Sequence, residues 1–319
     1  MKVNKIKILY TIPNFDTAGS GIPLLTIAKK LDKKLFIPEI ACLNNRGELF
    51  KDVIESGIKV HLVDLYKNAR PIFKMFQECY HLSRIFKEIN PHIIHSYHYA
   101  ADYSEPIAAK MAGIKWIYTK KNMSWFGPSF RRWKLRSFLA NGIITQNSDM
   151  MRDFFSRKRN ISLIPIGIDV KKYKLNKIKS NKRYLLTIAN LIEIKGIHIL
   201  IQSFFKIHNN FPDWSLLIVG DDRSSYGKYC HNLVTTLGLK HKIIFTGKVK
   251  NVTKYLNQAE IFVLPSINGE GGPISILEAM ANEKNIIASN VAGIRDQLIN
   301  FKDHMFECGN ENSLILKLD

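Results

Sequence analysis

Acidic residues are scarce in this chain: 27 Asp and Glu stand against 47 Lys and Arg, a formal net charge of +20 over 319 residues. That imbalance points to a partner of negative charge, namely an anionic membrane surface, nucleic acid or phosphorylated substrates. Nucleic acid calls for a recognisable module or an aromatic-basic platform, and the sequence has neither, which leaves the membrane surface and phosphorylated ligands. Lysine enrichment from genome composition is the plain alternative. Cysteine is also sparse. Cys42, Cys79, Cys230 and Cys308 lie far apart and form no CxxC or Cys/His cluster. This argues against structural zinc and a disulfide framework, and for free thiols in a reducing compartment. Long apolar runs are missing, since no window approaches the roughly 20 residues of a membrane span. The stretch Ile6 to Ile12, interrupted by Lys7 and ended by Pro13, is too short for a signal-peptide core and reads as a first strand. Asp16-Thr-Ala-Gly-Ser-Gly21 lacks the third glycine of a dinucleotide fingerprint, so no nicotinamide site is read there.

What is present is an ordinary globular composition, 46% hydrophobic and 23% charged, with length for about two domains. Strand and helix patterns alternate from the start. Strands are expected at Ile6 to Ile12, Phe36 to Leu43, Lys59 to Leu65, His92 to Ser96, Trp116 to Lys120 and Ile161 to Ile164. Helices are expected at Pro23 to Leu31, Gly47 to Ser56, Phe73 to Ile89, Tyr103 to Met111, Phe130 to Leu139 and Asp149 to Phe155. The polar, lysine-rich stretch 169–182 then reads as a linker, and the alternation restarts at Arg183. The expected organisation is α/β: two Rossmann-like, doubly wound parallel-sheet domains at 1–168 and 183–319. In such sheets ligands bind beyond the carboxyl ends of the strands.

One stretch concentrates chemistry there. Ile261 to Leu264 reads as a buried strand ended by Pro265. Gly269, Gly271 and Gly272 allow a tight turn, Pro273 suits a first helical residue, and Ile274 to Asn282 continues as helix. Free amides and the helix dipole would make an anion site at residues 271 to 274. Glu270 and Glu278, eight positions apart, would repel a bare phosphate but suit a nucleotide sugar, each accepting from a sugar hydroxyl. A solvated surface turn is the competing reading. Lys195 follows the strand that ends near Asn190, at a helix start, where it could neutralise a diphosphate. Gly220 and Asp221 end the next strand. In the first half, Gly19, Ser20 and Gly21, then His98, and then Lys121 with Asn122 stand at strand ends, within reach of a phosphate or sugar hydroxyls. Phe130 to Leu139 interleaves Arg131, Arg132, Lys134 and Arg136 with aromatics, and Arg157-Lys-Arg159 follows. A membrane-facing side is one reading of these and a packed helix the other.

Four motifs in order resemble the retaining glycosyltransferases of the GT-B fold, family 4: Ala18-Gly-Ser-Gly21, Ile164-Pro-Ile-Gly-Ile-Asp169, Glu193-Ile-Lys195-Gly196, and Glu270 to Glu278 with Leu277-Glu-Ala-Met-Ala281. The last is the specific one. The resemblance implies a nucleotide-diphosphate sugar donor in an interdomain cleft, held mostly by the second domain, and a glycan or lipid-linked acceptor held by the first. It implies hexosyl transfer with retention, with no cofactor, no required metal and no enzyme nucleophile; with the basic clusters, the expectation is a cytoplasmic enzyme of cell-surface polysaccharide synthesis, peripheral at the inner face of the cell membrane. Lys195 and the amides of Gly271 and Gly272 would stabilise the departing diphosphate, Glu270 would contact the sugar, Glu278 would hold the ribose, and Gly19 to Gly21 would close over the phosphates. Asn190, Gly220, Asp221, Pro273 and Ile274 complete the expected donor site, with His98, Lys121 and Asn122 on the acceptor side.

The chain departs from the family where an arginine usually precedes the lysine loop, where a histidine usually stands near Lys121 or Asn122, and where a Gly and Pro usually occupy Asn282-Glu-Lys-Asn285. The residues stop at Asp319, where a last helix begins, and the family's crossover helix is expected to be missing. These departures keep two alternatives open: a non-catalytic nucleotide-sugar-binding subunit, or an epimerase on the same fold.

Overall fold

The computed structural model of the protein describes residues 4–16, 18–65, 71–98, 102–124, 130–155, 160–176 and 182–319. Arg157-Lys-Arg159, named above, lies outside them. The chain divides into two compact units, Met1–Ile166 and Gly167–Asp319.

The first unit runs β1 (Ile6–Ile12), α1 (Ala18–Lys30), β2 (Phe36–Cys42), α2 (Glu48–Glu55), β3 (Lys59–Leu62), α3 (Ile72–Ile89) and β4 (Ile93–Ser96). It continues with α4 (Ser104–Ala112), β5 (Lys115–Lys120), α5 (Phe130–Leu139), β6 (Gly142–Thr145), α6 (Ser148–Phe155) and β7 (Ile161–Leu163). Its seven-stranded sheet has the order β3-β2-β1-β4-β5-β6-β7, and every pairing is parallel. The chain winds outward from β1 through β3, returns to set β4 beside β1, and winds outward the other way. Strand direction of growth therefore switches between β1 and β4. Apolar strands such as Leu9 and Ile94 are fully buried because helices cover the sheet on both faces.

The second unit runs β8 (Arg183–Ile188), α7 (Ile197–Ile207), β9 (Trp214–Val219), α8 (Ser225–Thr236), β10 (Ile243–Phe245) and α9 (Thr253–Gln258). Then come β11 (Ile261–Leu264), α10 (Ile274–Ala281), β12 (Asn285–Ser289), α11 (Ile294–Gln297), β13 (Met305–Phe306) and α12 (Glu311–Leu318). The six-stranded parallel sheet has the order β10-β9-β8-β11-β12-β13. Here the switch falls between β8 and β11, paired at Ile261↔Leu185 and Phe262↔Leu186.

Two features correct the expectation. Helix α1 starts at Ala18, five residues before Pro23, and carries that proline inside it. As the sixth helical residue it lies past the four N–H groups that are unpaired at any helix start, so α1 forgoes the bond that residue 23 would have made to the Gly19 carbonyl. Strands β6 and β13 were not anticipated. The first is only Gly-Ile-Ile-Thr and the second only Met-Phe, too short for a periodic pattern.

Candidate active site

The carboxyl edge at the β8/β11 switch point brings together residues that are 75 positions apart. After β8 the chain makes a 3-10 turn, Glu193–Lys195, closed by Gly196 at φ 60°. A Cβ on Gly196 would stand 2.1 Å from the Pro265 carbonyl oxygen, so only glycine lets this turn lie against the end of β11. The Ile267 N–H donates to the Ile194 carbonyl at 2.9 Å and ties the two loops together. Lys195 Nζ then meets Glu270 Oε1 at 2.6 Å, with 18% and 12% of the side chains exposed. Ser266 Oγ donates to the same Oε1 at 2.6 Å. Glu270 is held from behind as well. Its N–H donates to the Ala292 carbonyl at 2.9 Å, and Gly293, at φ 81°, passes so close that a Cβ would be 2.5 Å from the Glu270 carbonyl oxygen. The pair is thus charge-assisted, largely withdrawn from water and fixed by two backbone clamps. Lys195 was expected to face the amides of 271 to 274. In the structure its partner is Glu270.

Pro273 is not the first helical residue but the N-cap of α10, at φ −66° and ψ 120°. Extended ψ at that position leaves Ile274 to open the helix. Lacking an N–H, Pro273 gives the site no donor, and its carbonyl accepts from Gln297 Nε2 at 3.2 Å. Glu278, one turn further, is 7% exposed. Burial raises its carboxyl above the usual range, while a hydrogen bond from the Tyr173 hydroxyl and the charge of Lys172 oppose that rise. Tyr173 ends a 3-10 turn, Val170–Tyr173, and is 4% exposed within the second unit's core. Its carbonyl accepts from Asn282 Nδ2 at 2.9 Å. A residue in the lysine-rich stretch therefore anchors the middle and the C-terminal end of α10, which polarity alone concealed.

Asn190 and Asp221 also meet, the Asp221 N–H donating to Asn190 Oδ1 at 3.4 Å. Arg223, not singled out from sequence, clasps the Asp221 carboxylate through Nε at 2.8 Å and Nη2 at 2.5 Å. That clasp holds the carboxyl at about 2. Gly220, at φ 152°, leads into this loop.

In the first unit, Gly19, Ser20 and Gly21 sit in the opening turn of α1 rather than in a loop. His98 is 6% exposed and its imidazole is pushed far down by burial, Arg136 and Lys121. Lys121 donates to the Tyr97 carbonyl and lies 4.6 Å from that ring's centroid. Burial, with Arg136, lowers its ammonium to about 7. Asn122 is engaged by its neighbour, Lys120 Nζ reaching both its carbonyl and its Oδ1 at 2.6 Å. Sequence reasoning missed that Lys120 and Arg136 are fully buried. Arg136 donates to Ser96 Oγ at 3.0 Å, and Ser96 donates to the buried Glu105 at 2.8 Å. No carboxylate among the described residues pairs directly with Lys121 or Arg136, so this edge of the first sheet is a buried cationic cluster.

The model of Glycosyl transferases group 1 matches residues 171–319, and that of Glycosyltransferase Family 4 matches residues 18–172. The chain belongs to the glycosyltransferases. This glycosyltransferase is 24% identical over 318 residues to the capsular polysaccharide biosynthesis glycosyltransferase CapH of Staphylococcus aureus, spanning 95% of this chain and 86% of that protein. It is 24% identical over 269 residues to the UDP-Gal:alpha-D-GlcNAc-diphosphoundecaprenol alpha-1,3-galactosyltransferase of Escherichia coli, spanning 76% of this chain and 69% of that one. Among solved structures, a glycosyltransferase from Rickettsia africae ESF-5 matches with a TM-score of 0.84 at 21% identity, over 99% of this chain and 88% of that chain. The fold is accordingly the GT-B glycosyltransferase fold, with its two Rossmann-like domains.

Proposed function

We propose that this glycosyltransferase moves a hexosyl group, with retention at the anomeric carbon, from a nucleotide-diphosphate sugar to a glycan or lipid-linked acceptor in cell-surface polysaccharide synthesis. The observation that carries the reading is the Lys195–Glu270 pair at the β8/β11 switch point. An arriving diphosphate competes with Glu270 for the Lys195 ammonium, and a released Glu270 carboxylate becomes an acceptor for sugar hydroxyls. Transfer breaks the bond from the anomeric carbon to the phosphate oxygen and forms one to an acceptor oxygen. The acceptor's proton leaves with the diphosphate, so neither a metal nor an enzyme nucleophile is required. The Gly271, Gly272 and Ile274 region takes the phosphates, and Asn190, Gly220 and Asp221 flank the nucleotide. Glu278 takes the ribose in exchange for the Tyr173 hydroxyl.

On the acceptor side, His98, Lys121 and Asn122 border the cationic cluster, which suits an anionic acceptor such as a lipid-linked glycan diphosphate. The name of the Escherichia coli relative, a transferase to a diphosphoundecaprenol-linked sugar, supports that class. No helix among the described residues is long and apolar enough to cross a membrane. Helix α5 buries Trp133 and Arg136 but exposes Phe130 (45%) and Phe138 (76%) beside Arg131, Arg132 and Lys134. That face suits contact with an anionic membrane at its inner surface. The test is donor consumption across a panel of nucleotide sugars with wild type, Glu270→Ala and Lys195→Ala. Turnover lost in both variants is expected; turnover surviving in both, or absent from wild type with every donor and acceptor, overturns the reading.

A further inference from the structure

A cavity of about 500 Å³ opens beside the donor elements, lined by Glu193, His198, Ser225, Tyr226, Tyr229 and Ile267. Its size falls within the range of small-molecule sites. Its chemistry is unlike that of the Lys195 site. Among the described residues no lysine or arginine lines it, and Glu193 and Glu311 both bear on His198 with negative charge. Such a field disfavours phosphate and leaves neutral ligands.

The lining is also preorganised. Gly196, the N-cap of α7, offers no side-chain cap, and the Tyr226 hydroxyl takes its place, accepting the His198 N–H at 3.1 Å. The same hydroxyl lies 2.8 Å from His198 Nδ1. A phenol oxygen can accept from both the backbone N–H and an Nδ1–H, or give its own proton to Nδ1, so the second ring nitrogen is an acceptor or a donor according to the tautomer, and a sugar hydroxyl, which does both, suits either. Burial lowers the His198 pKa, which keeps the ring neutral. The wall therefore presents the imidazole of His198, a carboxylate acceptor from Glu193, a hydroxyl from Ser225 that both donates and accepts, and the half-exposed ring of Tyr229, at 48%. The rings of His198, Tyr226 and Tyr229 stand 5.9 to 6.3 Å apart and form one aromatic corner. Paired donors and acceptors beside an aromatic face match a pyranose, whose hydroxyls do both and whose C–H face meets the negative face of a ring.

We propose that this cavity is a second, non-reacting sugar site that takes a neutral pyranose, free or as a residue of a glycan. Its role in the cell rests on the glycosyl-transfer reading above; its binding chemistry does not. Glu193 opens the turn that carries Lys195, and Ile267 ties that turn to the Glu270 loop. A bound sugar thus braces both halves of the donor pair.

Saturation-transfer NMR on the full chain, titrated with methyl hexopyranosides, a neutral oligosaccharide and a hexose 1-phosphate, tests this. Saturable binding of a neutral pyranoside in the millimolar range is expected, weakened roughly 10-fold or more by Tyr229→Ala and by Glu193→Gln, and unchanged by Lys195→Ala. Tighter binding of the oligosaccharide than of the monosaccharide identifies a glycan as the source; equal binding identifies the free sugar. No neutral pyranoside binding to wild type, a preference for the sugar phosphate, or binding indifferent to both Tyr229→Ala and Glu193→Gln overturns the proposal. Binding lost in Lys195→Ala but kept in those two variants also overturns it, because the sugar then sits at the donor pair. Pyranoside binding that depends on Tyr229 in a protein without transferase turnover upholds this site while the transfer reading fails.

Discussion

The close passage of Gly196 under the end of β11 can be tested against a glycine of the same hand with open surroundings. Gly196 (φ 60°) and Gly238 (φ 69°) both occupy left-handed backbone, but a Cβ on Gly196 would meet the Pro265 carbonyl oxygen at 2.1 Å and Ile267 Cγ2 at 2.8 Å, whereas one on Gly238 meets nothing within 4 Å. Alanine at either position carries the left-handed cost, about 1 kcal/mol once the reduced freedom of the unfolded chain is counted. Gly238→Ala should therefore lower Tm by about 2–4 °C, the shift expected per kcal/mol for a unit of roughly this size. At Gly196 the carbonyl must also retreat by about 1 Å, an overpacking strain of about 1–3 kcal/mol more, so a fall of about 4–16 °C is expected. The retreat moves the turn bearing Lys195. A nucleoside diphosphate that raises the Tm of wild type and Gly238→Ala should then fail to raise that of Gly196→Ala. Differential scanning fluorimetry with and without nucleotide reads both effects. Equal falls in the two variants, or an intact nucleotide shift in Gly196→Ala, would refute the claim that this contact positions the lysine.

Other consequences are as direct. Glu283, exposed at φ 56°, occupies a left-handed position just after α10; Glu283→Gly should stabilise by about 0.5–1 kcal/mol, read as a higher Tm. Lys121, lowered to about 7 against an ordinary 10.5, binds fewer protons folded than unfolded between those values. Stability from this group should rise with pH from 7 upward, and Lys121→Met should flatten the Tm profile between about pH 7 and 8.5, below the range where thiols titrate. His95, lowered to about 3 by burial and then by Lys121, acts at the acid end. It is neutral when folded, so stability should fall as pH drops below about 6.5, and His95→Gln should lessen that fall. Sedimentation with vesicles should show salt-sensitive binding to anionic but not neutral lipid, reduced by Phe138→Ser together with Arg132→Gln; equal binding to both lipids contradicts the assignment to α5.

The sheets were legible because parallel strands buried on both faces appear as short apolar runs, as in Ile261 to Leu264, and helices keep their stripe, as in α7. The two glutamates and Lys195 were legible as types at strand ends. Their pairing was not, because contact between residues 75 apart depends on which strands become neighbours. Tyr173 was hidden in a lysine-rich stretch whose composition says linker, while one buried aromatic ties it to α10. Arg136 looked like one of four similar cations on α5, yet its helical phase turns it inward among Trp116, Tyr118 and Trp133. Periodicity reports a face, and only packing reports what that face meets.

Pairing of β8 with β11 has a further consequence for how the protein acquires its site. The strands β8, β9 and β10 are consecutive and can associate as soon as they are made, but Lys195 meets Glu270 only after β11 inserts on the far side of β8. Closing a separation of 75 residues costs about 2 kcal/mol more than closing one of ten. A chain stalled with three strands formed has a sheet and half a core, yet offers no donor pair. Nucleotide would therefore act late in folding, rewarding only chains that have completed the crossover.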